Sequence, residues 1–239
     1  MVTNLAVIPA RGGSKRIPGK NIIDFMGKPL LAWTVEAALT SGIFEHIVVS
    51  TDSEEIAQVA RASGAEVPFL RAEHADDQSP SSLATLSCLL QAEAHFGKTF
   101  QNVFQLMPNC PLRDSQDLVH AFSQFEESNA DFQLSCFQFG WANPWWALRP
   151  AGGKYQYEYL FPEAIKSRSQ DLDKLFCPTG AVWIAKAEEL KRHHTFYGDR
   201  LTFCVMDWKS ALDIDDYNDL EMAEAAFMVK HRLTPMRKA

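Results

Sequence analysis

Thirteen residues near the start of the chain concentrate its chemistry: Pro9-Ala10-Arg11-Gly12-Gly13-Ser14-Lys15-Arg16-Ile17-Pro18-Gly19-Lys20-Asn21 holds four cations and three glycines. Glycine lets backbone N–H groups approach an oxyanion closely, while Arg offers a forked donor to phosphate oxygens and Lys a point charge. A nucleoside triphosphate is the natural guest of such a run. The spacing matches neither G-x-x-x-x-G-K-[ST] nor G-x-G-x-x-G, so kinase, ATPase and dehydrogenase readings lose their main support. A basic loop can also be mere solvated surface. This one follows an apolar run, Leu5 to Ile8, and in open α/β sheets ligands bind beyond the carboxyl ends of the strands.

A second group with chemistry lies near the other end of the chain, in Asp213-Ile214-Asp215-Asp216. Residues i and i+2 of an extended segment point to the same face, so Asp213 and Asp215 form a paired-oxygen site suited to Mg²⁺, which keeps waters and bridges to phosphates. One of these aspartates could instead simply cap the helix that starts near Tyr217. Asp216, with Asp219 three residues on, suits that role, which leaves Asp213 and Asp215 for the metal.

The elements that must position these groups alternate. Leu5 to Ile8 and Ile47 to Ser50 read as strands; Leu30 to Leu39, opened by Pro29 and closed by Gly42, and Glu54 to Ala62, capped by Asp52-Ser53 and stopped by Gly64, read as helices. A helix over Ser82 to Phe96, a strand over Asn102 to Leu106 and a helix over Asp114 to Phe125 continue the pattern. Alternation of this kind predicts a three-layer α/β/α, Rossmann-like fold with a mainly parallel sheet. From Asp131 aromatic residues crowd Phe132 to Phe139 and Tyr155 to Leu160, with Trp141, Trp145 and Trp146 between them. The regular texture returns with a strand at Ala181 to Ala185, a short helix at Ala187 to Arg192, a strand at Thr202 to Met206 and a helix from Tyr217 to His231. We therefore expect a single domain over 1–239 carrying an inserted element at 131–178. An insertion of that size cannot bury three tryptophans with Phe132, Phe137 and Phe139 against itself, so a homodimer that covers it is the expected partner arrangement.

Composition narrows the partners. The 239 residues carry 23 Lys+Arg against 30 Asp+Glu, a formal net charge of −7, which argues against nucleic acid or an anionic membrane as a ligand. Cys88, Cys110, Cys136, Cys177 and Cys204 are widely separated, without metal-ligand spacing, and suit free thiols in a reducing cytoplasm. The start of the chain has neither the cationic opening nor the apolar length of a signal peptide, and no run approaches the roughly 18 apolar residues of a membrane span. A soluble, cytoplasmic protein is expected. The seven histidines show no H-E-x-x-H pair, and His193-His194 reads as a polar helix end.

Taken together, Ile8-Pro9-Ala10-Arg11-Gly12-Gly13-Ser14-Lys15, Lys20-Asn21, Gly27-Lys28-Pro29-Leu30, Ser50-Thr51-Asp52, Leu70-Arg71, Pro111-Leu112-Arg113, Gly180-Ala181 and Asp213-Ile214-Asp215 resemble the sugar-activating cytidylyltransferases that make CMP-sialic acids and related CMP-nonulosonates. The resemblance implies a Mg²⁺-dependent attack of a 2-keto sugar acid's anomeric hydroxyl on the α-phosphate of CTP, with release of pyrophosphate. It implies that Arg11, Lys15 and Lys20 hold the triphosphate on the Gly12-Gly13-Ser14 loop, that Asn21 and Arg71 engage the cytidine, and that Ser81 or Ser82 lies near the base. One of the two aspartates, or the substrate's own carboxylate through water, would take the anomeric proton. Arg168 and Arg113 are candidates for the acid's carboxylate, with Lys166 and Arg149 behind them, and Arg113 reads more readily as structural. Two segments depart from the family's pattern. Met107 stands where many sialic-acid members have Gln, and Thr179-Gly180-Ala181-Val182-Trp183 replaces Asn-Gly-Ala-Ile-Tyr. Both lie on the expected sugar side, so pseudaminic, legionaminic or 3-deoxy-octulosonic acid stands beside N-acetylneuraminic acid as the acceptor. A catalytically silent nucleotide-binding module is the distant alternative.

Overall fold

A computed structural model of the chain describes residues 3–73 and 79–232. Strand β1 (Asn4–Pro9) runs into the basic loop; a two-residue hairpin, β2 (Asp24–Phe25) and β3 (Lys28–Pro29), then feeds helix α1 (Leu30–Ser41). Strand β4 (His46–Ser50) and helix α2 (Glu54–Ala62) follow, then α3 (Ser81–Phe96), β5 (Asn102–Gln105) and α4 (Ser115–Ser128). The second half holds β6 (Phe132–Gln138), the short strands β7 (Leu148–Pro150) and β8 (Tyr157–Tyr159), then β9 (Phe176–Lys186), α5 (Ala187–His193), β10 (Leu201–Val205) and α6 (Tyr217–Lys230).

Six strands form the central sheet in the order β10-β6-β9-β5-β1-β4. The pairs β1–β4, β1–β5 and β10–β6 are parallel, whereas β9 runs antiparallel to both of its neighbours. The sheet is apolar on both faces, as a sheet covered on both sides must be. Along β1, Ala6 and Ile8 enter the core beneath α1, α2 and α4, while Leu5 and Val7 enter the core beneath α3 and α5. A third apolar cluster packs Ala223, Ala226 and Phe227 of α6 against Phe25 and Leu30.

Local chemistry sets the helix ends. Ser53 accepts from the Ile56 N–H, and Asp114 and Asp216 each form a reciprocal capping box with Asp117 and Asp219. Each such cap contributes about 1 kcal/mol by satisfying N–H groups that the first turn leaves unbonded. Pro29 stands one residue earlier than expected, at the cap position of α1.

The chain stays in the sheet longer than its aromatic texture suggests. Phe132 to Gln138 is a strand between β10 and β9, and Phe132 is wholly buried, edge-on to His193. It needs no partner subunit. Trp145 is likewise held within the chain, against the Phe161 ring and by an indole N–H bond to the Asp173 carbonyl. The segment that leaves the sheet is the one between β6 and β9. It carries the β7–β8 hairpin, whose residues are all exposed, and Trp141 at 95% exposure. Because β6 runs parallel to β10 and in the same sense as β1, this excursion emerges at the sheet edge that also carries the basic loop.

Among the described residues the five cysteines are unbonded, and no helix is long and apolar enough to cross a membrane.

Candidate active site

At the carboxyl ends of β1 and β5 a cleft of about 480 Å³ opens, whose lining includes Arg11, Lys15, Lys20 and Arg71 with Ser81, Met107, Asn109 and Asp215, and also Ser14 and Asn21. The loop after β1 is shaped from within. Asn21 is buried and its side-chain amide donates to the Arg11 carbonyl at 2.9 Å. Gly19 adopts φ 64°, a left-handed conformation that glycine reaches without strain, and starts the short turn that carries Lys20 and Asn21.

Gly12 and Gly13 are expected to turn their N–H groups to an oxyanion, and the structure gives the Gly12 N–H another acceptor. The Gly12 N–H donates to the Asp52 carboxylate at 2.8 Å, and a Cβ on Gly12 would meet the Ser53 Cβ at 3.3 Å. Close packing against the head of α2 therefore accounts for that glycine, and neither residue reaches the cleft wall.

Lys20 ties the two chemical groups of the chain together. Its ammonium donates to the Ile214 carbonyl at 2.7 Å and to Asp215 Oδ1 at 3.0 Å, and Arg16 reaches Asp215 Oδ2 at 2.7 Å. Asp213 and Asp215 flank the buried Ile214 in a loop rather than a strand, yet both still lie outward of it. Burial by itself would push the Asp215 carboxyl up; the hydrogen bonds from Lys20 and Arg16 outweigh it and hold the carboxyl below the ordinary range. Asp213 moves the other way, raised by loss of water and then by the neighbouring Asp215 charge.

Arg71 is 7% exposed; its backbone N–H is fixed to the Thr51 carbonyl at 2.7 Å, while its Nε has no hydrogen-bond partner among the described residues. Arg71 still contributes to the cleft lining, so its mostly buried guanidinium brings positive charge to the cleft. Of the two candidate serines, Ser81 lines the cleft and Ser82 is buried away from it. Arg168 is not brought to the cleft. It lies in the excursion, exposed, and pairs with Asp171 at 2.8 Å. Arg113 is fully structural. It is 2% exposed, bonded to the Ala181 carbonyl and to Thr34 Oγ1 at 2.7 Å, and so fastens the turn after β5 to β9 and α1. Of the two departing segments, Met107 lies on the cleft wall, whereas Thr179 is buried, its hydroxyl donating to the Ala211 carbonyl at 2.8 Å. Burial pushes the Cys110 thiol up to about 12, which removes it as a nucleophile at neutral pH.

One wall residue and one behind it are not signalled by type or spacing. Asn109 donates to Ile214 O at 3.3 Å and accepts the Ile214 N–H on its own carbonyl at 2.8 Å, so it seats the aspartate loop. Gln105 lies wholly buried just behind the wall, where a sequence reading sees only one more residue of an apolar strand.

Against known proteins, the model of a family described as Cytidylyltransferase matches residues 5–203. The chain is 36% identical over 231 residues to a pseudaminic acid cytidylyltransferase of Campylobacter jejuni, covering 95% of this chain and 97% of that protein. It is 34% identical over 222 residues to a CMP-N,N'-diacetyllegionaminic acid synthase of Legionella pneumophila, covering 92% and 94% respectively. Its fold is similar to that of a solved CMP:2-keto-3-deoxy-manno-octonic acid synthetase in complex with CTP, with a TM-score of 0.70 at 16% identity over 96% of this chain and 99% of that one.

The Lys20–Asp215 contact predicts a titration. The folded chain favours ionised Asp215, so this contribution to stability is present above the ordinary aspartate value of 3.8 and is lost as pH falls through the lower folded value. In an NMR titration, Asp215 should titrate below 3.8 and move upward in Lys20→Met; an unmoved Asp215 would show that Lys20 does not hold it.

Proposed function

This chain belongs to the nonulosonate cytidylyltransferases and is a nucleotidyltransferase, and on that premise we propose that it transfers CMP from CTP to the anomeric hydroxyl of a nine-carbon 2-keto sugar acid of the sialic-acid type. The observation that carries this reading is the convergence of Arg11, Lys15, Lys20 and Arg71 on one cleft of a protein whose formal net charge is −7. A triphosphate is the ligand that offsets so local a concentration of positive charge.

In this account Arg11, Lys15 and Lys20 bind the phosphates, and Asn21 and Arg71 face the cytidine. The anomeric oxygen forms a bond to the α-phosphorus as the bond from that phosphorus to the bridging oxygen breaks, and pyrophosphate leaves with the electron pair. The anomeric proton passes to one of the two aspartates or, through water, to the acid's own carboxylate. The protein's part is chiefly to position the reactants and neutralise charge.

Asp213 and Asp215 fit a Mg²⁺ ion shared with phosphate oxygens. The two carboxylates flank the buried Ile214 at the mouth of the aspartate loop, and Asp215, which now receives Lys20 and Arg16, would share its oxygens with the ion. Among the described residues no cluster of three ligating side chains forms an all-protein cage, and Mg²⁺ bound with substrate phosphates does not need one. Bound there, the ion would stabilise charge developing at the α-phosphate.

Pseudaminic acid as the acceptor is a second reading, favoured by the 36% identity to a pseudaminic acid cytidylyltransferase and by Met107, which cannot make an amide's hydrogen bonds on the cleft wall. Incubation with CTP, Mg²⁺ and, in turn, N-acetylneuraminic, pseudaminic, legionaminic and 3-deoxy-octulosonic acid should yield pyrophosphate and one dominant CMP-sugar by mass. Turnover of a purine triphosphate in preference to CTP, or none with any nonulosonic acid, would remove this reading. In the same assay Asp215→Asn should lose about a hundredfold in turnover with little change in melting temperature, and unchanged turnover at saturating Mg²⁺ would remove the metal assignment.

We propose further that the excursion between β6 and β9 seals a homodimer. Its support is an apolar surface that one chain leaves open at the cleft edge of the sheet: Trp141 at 95%, Tyr155 at 80% and Tyr157 at 60% exposure. Arg168 would then serve the neighbouring subunit's acceptor. Sedimentation at micromolar concentration should show a dimer, and mixing Arg168→Ala with Asp215→Asn subunits should restore activity. A monomer contradicts the first proposal, and no recovery after verified exchange contradicts the second.

A further inference from the structure

We propose that Gln105 and Thr85 are positioning residues that make the Ser81 hydroxyl a hydrogen-bond donor aimed into the cleft, toward an anionic oxygen of the bound substrate. Gln105 ends β5 and is wholly buried, so its amide must be bonded within the protein. Thr85, one turn into α3 and also wholly buried, donates its hydroxyl to Gln105 Oε1 at 2.7 Å. A hydroxyl can donate or accept, so the thioether on the amide's other side decides which way the amide faces. With the oxygen engaged, the nitrogen turns to Ser81 Oγ at 3.1 Å and to Met107 Sδ at 3.8 Å. A thioether can only accept, so Met107 agrees with the nitrogen on that side. Gln105 and Met107, two residues apart, meet there as same-face neighbours do along an extended chain.

Ser81 has one proton. Since its oxygen accepts from Gln105, the O–H must donate elsewhere. A serine inside a helix often donates to the carbonyl one turn back, but Ser81 is the first residue of α3, behind Pro80, and has no preceding helical turn. It lines the cleft with Arg71 and Asn109. Among the described residues that proton has no protein acceptor, and Ser81 lines the cleft, where the cationic lining selects an anionic acceptor: a phosphate oxygen of the triphosphate or the carboxylate of the sugar acid. The nature of that anion rests on the cytidylyltransferase reading; the geometry of the relay does not.

A double-mutant cycle tests the relay on the full chain with CTP, Mg²⁺ and the acid that is turned over. Ser81→Ala should lower kcat/KM about tenfold to a hundredfold, as loss of a hydrogen bond to a charged group does. Gln105→Leu should cost nearly as much, Thr85→Val less, and the double variant Ser81→Ala with Gln105→Leu no more than Ser81→Ala alone. Losses that multiply would overturn the proposal, because Gln105 would then act without Ser81. Titration calorimetry with CTP alone separates the two anions. Weaker CTP binding by Ser81→Ala and Gln105→Leu marks a phosphate oxygen, whereas unchanged CTP binding with a raised KM for the acid marks the carboxylate. Should the wild-type protein turn over none of the acids, the functional reading fails and the relay is decided by crystal structures of Gln105→Leu and Thr85→Val. A Ser81 side chain swung from its wild-type rotamer in Gln105→Leu supports it, and an unmoved one overturns it.

Discussion

The contact of Lys20 with Asp215 and the Ile214 carbonyl joins chemistry from opposite ends of the chain, 195 residues apart, and the cleft depends on it. Several cations crowded on one wall repel one another, and in a water-poor cleft that repulsion is larger than at the surface. Asp215 offsets part of it by receiving Lys20 and Arg16 together. The same aspartate is thereby kept ionised, which an acidic group on a partly buried wall would otherwise resist. One ion-pair cluster thus serves both the cationic loop and the acidic loop. Its members gain through geometry, since an isolated exposed pair contributes at most about 1 kcal/mol.

The sheet makes that meeting possible. β1 and β5 are parallel neighbours, so the basic loop and the turn after β5 emerge side by side. The turn after β5 is held from below by the buried Arg113 and from above by the Asn109–Ile214 hydrogen bonds. The aspartate loop is stopped directly by the capping box of α6, in which Asp219 also accepts from the Asp215 N–H. The loops that carry the site are therefore tied to element ends and to one another by hydrogen bonds, as preorganised charge requires.

Much of this was legible in the residues. The basic loop and the Asp216 cap with Asp219 depend on residue type and short spacing, which is what a chain read linearly conveys; of the two aspartates before that cap, Asp215 lines the cleft. The strand and helix succession through α4 followed the same way from caps and periodicity. What escaped depends on contacts between distant segments. Phe132 to Gln138 looks like the start of an aromatic excursion because its phenylalanines run on into Phe139 and Trp141, and nothing local says that it lies between β10 and β9, where even its polar residues Gln133 and Ser135 are buried. Gly12 reads as a phosphate-binding glycine until Ser53 is seen beside it. Gln105 reads as an ordinary strand residue until Thr85 and Ser81 are brought to its amide.

The central claim is that the loop from Arg11 to Asn21 and the aspartate loop together form one triphosphate site. A crystal structure of the protein soaked with CTP in the absence of acceptor tests this most directly. The three phosphates should lie against Arg11, Lys15 and Lys20, with the cytidine toward Asn21 and Arg71. Phosphates bound away from that loop, or CTP outside the cleft altogether, would contradict it.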